Sequence, residues 1–216
     1  MASQVIYGKQ PVLEAGRGRR RVRRVWRAPE TSAGELERLC GSPDHQGVVA
    51  EVEPYPYAGA VELVKVEGAL LVALDQVQDP RNLGAVARSS EAAGAAGLVI
   101  PERRAAEVTA VACKASAGAV EHLPIARVRN LADWLAEAKD AGFWIWGADA
   151  GAAQAPWEVD LAGPTVLVLG GEGKGLRPRV AAACDGLVAL PQAGRVGSLN
   201  VSAAATALLF EAVRQR

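Results

Sequence analysis

The sequence predicts an α/β protein in which a doubly wound parallel sheet follows a smaller α/β lobe. Three observations carry that prediction. From Lys65 onward, short apolar runs alternate with helical stretches, the pattern of parallel strands buried on both faces. Ahead of Pro54 the texture is different, with short strands and helices crowded together. Between the two, Pro54-Tyr55-Pro56-Tyr57 interrupts helix and sheet alike, because neither proline offers an amide donor and each restricts the residue before it. The expected division is a lobe over 1–54, a linker over 55–64 and a larger domain over 65–216.

Taken in order, Val5 to Ala15 reads as a short helix, Arg21 to Arg27 as a strand, Gly34 to Cys40 as a second helix and Gly47 to Val52 as a strand. In the larger domain, Leu70 to Leu74, Gly97 to Ile100, Phe143 to Ala148, Thr165 to Leu169 and Gly186 to Leu190 predict buried strands. Helices are expected at Asn82 to Ala95, Ala105 to Ala117, Leu131 to Ala141, Arg179 to Cys184 and Val201 to Arg214. A ligand of such a sheet is expected beyond the carboxyl ends of the strands.

Composition narrows the function classes. The 216 residues are half apolar and 22% charged, a globular balance, and no long uncharged apolar run predicts a membrane span. Met1 to Val5 lacks the basic-then-apolar pattern of a secretory signal, so a cytoplasmic protein is expected. Cys40, Cys113 and Cys184 are far apart and there are two histidines, which argues against a disulfide framework and against a Cys/His metal site. The net charge of zero conceals an asymmetry, since seven arginines fall between Arg17 and Arg27. Such a local positive field suits phosphates, and it equally describes a solvated basic edge.

Three strand-to-helix junctions carry more polar groups and glycines than connection alone requires. The first, Asp75 to Gly84, enters a helix bearing Arg88; there Asn82 fits an ordinary N-cap, and Arg88 fits either a surface position or an anion site. The second is Leu169-Gly170-Gly171-Glu172-Gly173-Lys174-Gly175-Leu176. It is no P-loop, because Gly175 stands where that motif needs Ser or Thr. It is no dinucleotide fingerprint either, since it comes late in the chain and Leu190-Pro191 stands where the acidic residue belongs. The third junction, Leu190 to Asn200, offers both Ser198 and Asn200 as caps for a helix that needs one, with Arg195 beside them. Together these loops supply amide, hydroxyl, carboxylate and guanidinium groups, with no histidine base and no metal-ligand cluster.

In these three stretches the chain resembles the TrmH/SpoU branch of the SPOUT-class RNA 2'-O-ribose methyltransferases. The resemblance rests on Asp79-Pro80-Arg81-Asn82-Leu83-Gly84 with Arg88 beyond it, on Leu169 to Leu176, and on Leu190-Pro191 followed by Gly197-Ser198-Leu199-Asn200-Val201-Ser202, in that family's order. Val5-Ile6-Tyr7-Gly8 and His45-Gln46-Gly47-Val48-Val49-Ala50 also look like the ends of a small L30e-like RNA-binding lobe, which precedes the catalytic domain in members acting on a guanosine of 23S ribosomal RNA.

The resemblance implies a parallel sheet closed by a C-terminal trefoil knot, a homodimer, and S-adenosylmethionine (AdoMet) as cofactor without metal. It points to Gly170, Leu190 and Leu199 as cofactor-binding, and to Arg88, Asn82, Glu172, Ser198 and Asn200 as catalytic. In the family the arginine helps to deprotonate the 2'-hydroxyl and the dimer sets it opposite the partner's cofactor; because a guanidinium ordinarily keeps its proton, base and alkoxide stabiliser stand as its two readings. An RNA-docking lobe would use Arg19, Arg20 and Arg23 on phosphates. Two features depart from the pattern: the lobe is short between Trp26 and His45, and Gln192 replaces a more usual apolar residue. The competing expectations are the same chemistry on tRNA or another ribosomal nucleotide, including one that confers antibiotic resistance, and a catalytically silent RNA-binding module.

Overall fold

The computed structural model describes residues 3–171, 173, 175–195 and 197–216. Strands β1 (Gln4–Tyr7), β2 (Val22–Arg27) and β3 (Val48–Val52) form an antiparallel sheet in the order β1-β3-β2, accompanied by helices α1 (Lys9–Ala15) and α2 (Ala33–Cys40). The second sheet comprises β4 (Leu70–Asp75), β5 (Gly97–Pro101), β6 (Ile125–Val128), β7 (Trp144–Ala148), β8 (Thr165–Gly170) and β9 (Gly186–Val188). Its strands are all parallel, in the order β6-β5-β4-β8-β7-β9. The helices of this part are α3 (Ala60–Leu63), α4 (Pro80–Ala92), α5 (Ala110–Ala115), α6 (Leu131–Asp140), α7 (Pro178–Ala183) and α8 (Val201–Gln215).

Alternation along the central strands decides the layers. Leu70, Val72 and Leu74 pack with Val86 of α4, Ala112 of α5 and Leu208 of α8. Leu71 and Ala73 point the other way, toward Leu63 of α3, Leu135 of α6 and Val180 of α7. Both faces are therefore covered, which is why these strands read as unbroken apolar runs. The strand order reverses between β4 and β8, where Asp75 and Gly170 are register partners at the carboxyl ends. A ligand belongs at such a reversal.

Several expected elements differ. The predicted helix over Val5 to Ala15 is a strand, β1, followed by α1. Gly8 separates them at φ 103°, a conformation open to glycine, with its N–H bonded to the Val48 carbonyl at 3.1 Å. The helix expected from Ala105 begins only at Ala110, where the Thr109 hydroxyl caps it by accepting from the Ala112 amide at 3.4 Å. Strand β6 and the short α3 were not expected. In β6, Arg127 interrupts the apolar run, so its sequence alone does not announce a strand.

Residues 55–64 are tied down rather than loose. Tyr55 is buried, the Tyr57 hydroxyl accepts from the Val108 amide at 3.0 Å, and Ala58 pairs with Ala126 beside β6. One apolar cluster runs through Ile6, Val12, Ala50 and Val52 into Val120, Leu123 and Ile125, so the two sheets share a core.

The same junction corrects the reading of Arg20 as a phosphate contact. Its side chain is wholly buried against the equally buried Glu121, with Nε donating to Glu121 Oε2 at 2.9 Å and Nη2 to Oε1. Burial by itself would lower the guanidinium pKa, but the hydrogen bond to Glu121 and the nearby charges outweigh it and push the value up. Arg20→Ala leaves Glu121 buried without its cation and is expected to cost about 3–5 kcal/mol. Urea unfolding checks this, the midpoint falling at constant slope; a loss below about 1 kcal/mol, the scale of a solvent-exposed pair, would contradict the assignment.

Candidate active site

The site begins where β4 and β8 end side by side. Asp75 closes β4 with no exposure to solvent, and its carboxylate accepts from the Arg177 backbone amide at 2.8 Å and from Arg177 Nε at 2.7 Å. Arg177 Nη2 lies 2.6 Å from Asp75 Oδ1. A charged fork of this kind is directional as well as strong, and it anchors the chain leaving the glycine-rich turn to the sheet edge. Within the turn the Gly175 amide donates to the Gly171 carbonyl at 3.2 Å. Gly170 lies so close to this return that a Cβ on it would stand 2.1 Å from the Gly175 carbonyl carbon.

Helix α4 starts at the same place. Its N-cap is Asp79, whose side chain accepts from the Arg81 amide at 2.7 Å, with Pro80 in the first turn. The capping reading of Asn82 is thereby removed. Asn82 is buried, and its Oδ1 accepts from Asn200 Nδ2 at 3.1 Å. Asn200 is itself the cap of α8, its Oδ1 accepting from the Ser202 amide at 2.8 Å and the Ser202 hydroxyl at 2.6 Å. One asparagine therefore holds the start of α8 and joins it to the start of α4. The helices also meet further on, through the Ser89 and Thr206 hydroxyls at 2.6 Å.

Between these elements lies a cavity of about 540 Å³. Leu169, Val188 and Leu208 give it an apolar lining, while Gly170, Leu190, Ser198, Leu199 and Asn200 bring backbone and polar groups to it. A recess of about 310 Å³ shares Gly171 and Gly175 with it and is lined by Gln76, Gln78, Asp79 and Asn82. The structure thus brings together the three expected cofactor residues with Ser198 and Asn200, and sets Asn82 in the adjoining recess. A largely apolar cavity with a few converging polar groups suits a nucleoside-sized ligand.

The other expected residues lie elsewhere. Arg88 is exposed on α4, six residues and about 9 Å along the axis from Asn82, and lines neither space. Glu172 lies outside the described residues. Arg23 is exposed on β2, an edge strand, with Glu53 at 3.6 Å. Arg19 keeps exposed surface but donates to the Tyr55 hydroxyl and the Leu123 carbonyl, both at 2.8 Å.

Sequence reading missed one wall. Ala148, Asp149 and Ala150 line the cavity from the end of β7, and the Asp149 carboxylate accepts from the Gly151 amide at 2.7 Å. The available signal was position alone, the carboxyl end of a parallel strand. Gln192 also lines the cavity. The cysteines take no part: burial pushes the Cys113 thiol up to about 11 and the Cys184 thiol up to about 12, so both are protonated at neutral pH. Among the described residues no His/Cys/Asp/Glu group could hold a metal ion, and no helix is long and apolar enough to cross a membrane.

Comparison with known proteins agrees with this geometry. The sequence pattern of the SpoU rRNA Methylase family matches residues 69–210. YacO of Bacillus subtilis, named for the TrmH family of tRNA/rRNA methyltransferases, is 39% identical over 237 residues, covering 98% of this chain and 95% of the relative. An uncharacterized tRNA/rRNA methyltransferase of Synechocystis is 38% identical over 243 residues, and there the chain spans 63% of the relative's length. The crystal structure of the SpoU methyltransferase AviRb from Streptomyces viridochromogenes, in complex with AdoMet, superposes with a TM-score of 0.84 at 29% identity, covering 99% of this chain and 90% of that one.

Proposed function

The chain belongs to the SpoU rRNA Methylase family and is an AdoMet-dependent RNA methyltransferase; from that premise we propose that it methylates a ribose 2'-hydroxyl, in a guanosine of 23S ribosomal RNA. The observation that carries the proposal is the Asn82–Asn200 contact, which joins the first and third loops beside the glycine-lined cavity. The choice of 23S RNA is supported by the residues flanking the first lobe: Val5 to Gly8 fall on β1 and the turn after it, and His45 to Ala50 on the turn that leads into β3 and on β3 itself. Mapping 2'-O-methyl positions in RNA from cells with and without the gene tests it. Loss of one mark from 23S RNA is expected; loss of a tRNA mark would move the substrate, and loss of none would favour a silent binding module.

The residues present fit AdoMet. Gly170 forms a cradle that a side chain would fill, and the Leu169, Val188 and Leu208 surface accepts an apolar ring face. When bound, AdoMet supplies a methyl group already activated on a sulfonium. Gly170, Leu190 and Leu199 would hold it through backbone groups. A 2'-hydroxyl is a weak nucleophile until its proton leaves, so the protein's task is orientation and deprotonation. Asn82 and Glu172 fix the arginine and the ribose, Ser198 with Asn200 completes the pocket, and Arg88 acts on the hydroxyl, as base with help from a substrate phosphate or as the cation that stabilises the alkoxide.

Arg88 stands outside its own chain's cavity, which supports a homodimer in which each subunit's arginine serves the other. Phe210 and Val213 of α8 are exposed and offer apolar surface for such a contact. A C-terminal knot is carried over from the family resemblance; after β9, at the sheet edge, the Ala189 amide donates to the Gln154 carbonyl at 2.9 Å and the chain returns to set α8 against β8 and α4. Calorimetry in the presence of chelator is expected to show AdoMet binding, and sedimentation a dimer; a chelator-sensitive signal, or a monomer at micromolar concentration, would overturn the corresponding half.

The lobe's part in RNA binding is carried by Arg23 and the exposed edge of Arg19, since Arg20 is engaged inside. Arg19→Gln/Arg23→Gln is expected to flatten the dependence of log affinity on log salt by about 1.4, at ~0.7 per phosphate contact. A filter-binding series with 23S RNA measures it, and an unchanged slope would make the arginine run a solvated edge.

A further inference from the structure

Residues 4–57 are fastened to residues 108–123 by hydrogen bonds that the chemistry itself does not require. Besides its fork on Glu121, Arg20 donates through Nη1 to Gln4 Oε1 at 2.7 Å and through Nη2 to Cys113 Sγ at 3.3 Å. Gln4 Nε2 continues to the Val108 carbonyl at 2.8 Å. The Tyr55 hydroxyl, which accepts from Arg19, donates to the Val120 carbonyl at 2.9 Å.

From this junction the path to the helix carrying Asn82 and Arg88 is short. Glu121 closes the turn that follows α5, and α5 packs on α4 at Gly84. A Cβ on Gly84 would stand 2.5 Å from the Ala112 carbonyl oxygen and 2.7 Å from the Ala115 Cβ, so α5 packs directly on the backbone of α4 at Gly84. Gly84 lies between Asn82 and Arg88. The element that Arg20 grips is thus the one on which the helix bearing the reacting groups rests.

We propose that Arg20 and Glu121 are positioning residues for substrate choice: the buried pair holds the first sheet in one orientation relative to α4, so that RNA docked on the sheet presents one nucleotide and not its neighbours. The proposal rests on the RNA 2'-O-methylation reading above. Its physical ground is directionality. The apolar core beneath the junction would bury as much surface after a small slide or rotation, whereas a two-point guanidinium–carboxylate fork would not survive one. A buried ion pair adds little net stability over apolar side chains of similar volume, so orientation is what this one contributes.

The test uses Arg20→Met/Glu121→Met, which keeps the junction packed but removes the fork, and Glu121→Gln, which keeps its shape without the charge. In the double variant, amide hydrogen exchange over 82–90 is expected to rise while exchange over β8 and AdoMet affinity stay as in the parent; in Glu121→Gln, which leaves Arg20 buried without its carboxylate, exchange over 82–90 is expected to rise more than exchange over β8. On RNA extracted from cells lacking the gene, the parent enzyme is expected to mark one ribose; the variants spread the mark to flanking nucleotides, or lose roughly tenfold in kcat/KM with AdoMet saturation unchanged. Unchanged exchange over 82–90 overturns the coupling. Raised exchange with the same single mark at the same kcat/KM overturns the role in substrate choice. If the parent marks no ribose at all, the methylation reading fails first and substrate choice falls with it, while the exchange result still decides the coupling.

Discussion

Arg88→Ala is expected to lower methyl transfer to RNA by about 10²–10⁴-fold, the range for loss of a group that moves or stabilises a proton in the transition state. AdoMet affinity should stay within about twofold, because Arg88 is exposed on α4 and lines neither the cavity nor the recess beside it. Lysine should recover part of the loss at most, since it keeps the charge but not the planar fork that can span a hydroxyl and a phosphate oxygen. A mixing experiment separates action within a chain from action across a dimer. Inactive Arg88→Ala chains mixed with chains unable to bind AdoMet should regain turnover if one subunit's arginine serves the other's cavity, because the mixed dimer has one complete site. Wild-type turnover by Arg88→Ala would overturn the site, and absence of recovery in mixed dimers would place the arginine's work within its own chain.

The large sheet was legible because its strands are buried on both faces, so Leu70 to Leu74 and Thr165 to Leu169 appear as uninterrupted apolar runs. The first sheet was less so. Its β1 is four residues long and passes into α1 through one glycine, which leaves too few residues for a period of two to separate from a helical one. The loops were legible as a surplus of polar groups, but their division of labour was not. Asp79, Asn82, Ser198 and Asn200 are all plausible caps by residue type, and only the folded chain shows that Asp79 and Asn200 do the capping while Asn82 reaches across to Asn200. The arginine run shows the same limit more sharply. Nothing in the local sequence distinguishes Arg20 from Arg19 or Arg23; what distinguishes it is Glu121, brought beneath it by packing.

Gly170→Ala is expected to abolish measurable AdoMet binding, a loss of roughly 100-fold or more, equivalent to about 2.8 kcal/mol. The backbone of Gly170 is not in the left-handed region, so the added methyl is opposed by space rather than by its own torsion angles. Its three nearest neighbours would be the Gly175 carbonyl carbon at 2.1 Å, the Gly175 oxygen at 2.3 Å and the Leu176 amide nitrogen at 2.5 Å, all backbone. A flexible side chain could swing away from such an overlap, but here the return of the turn must move. That return is pinned on one side by the Gly175–Gly171 hydrogen bond and on the other by Arg177 on buried Asp75, so displacement costs one of those contacts. Strain of this kind in a packed region costs typically about 1–3 kcal/mol, and it falls on the segment that lines both the cavity and the recess beside it. Gly194→Ala is the matched control: a Cβ there meets nothing within 4 Å, and its backbone is likewise outside the left-handed region, so AdoMet binding should be retained. Calorimetry on the two variants reads the difference directly. Equal affinity in both would mean that close approach at Gly170 has no part in forming the cofactor site.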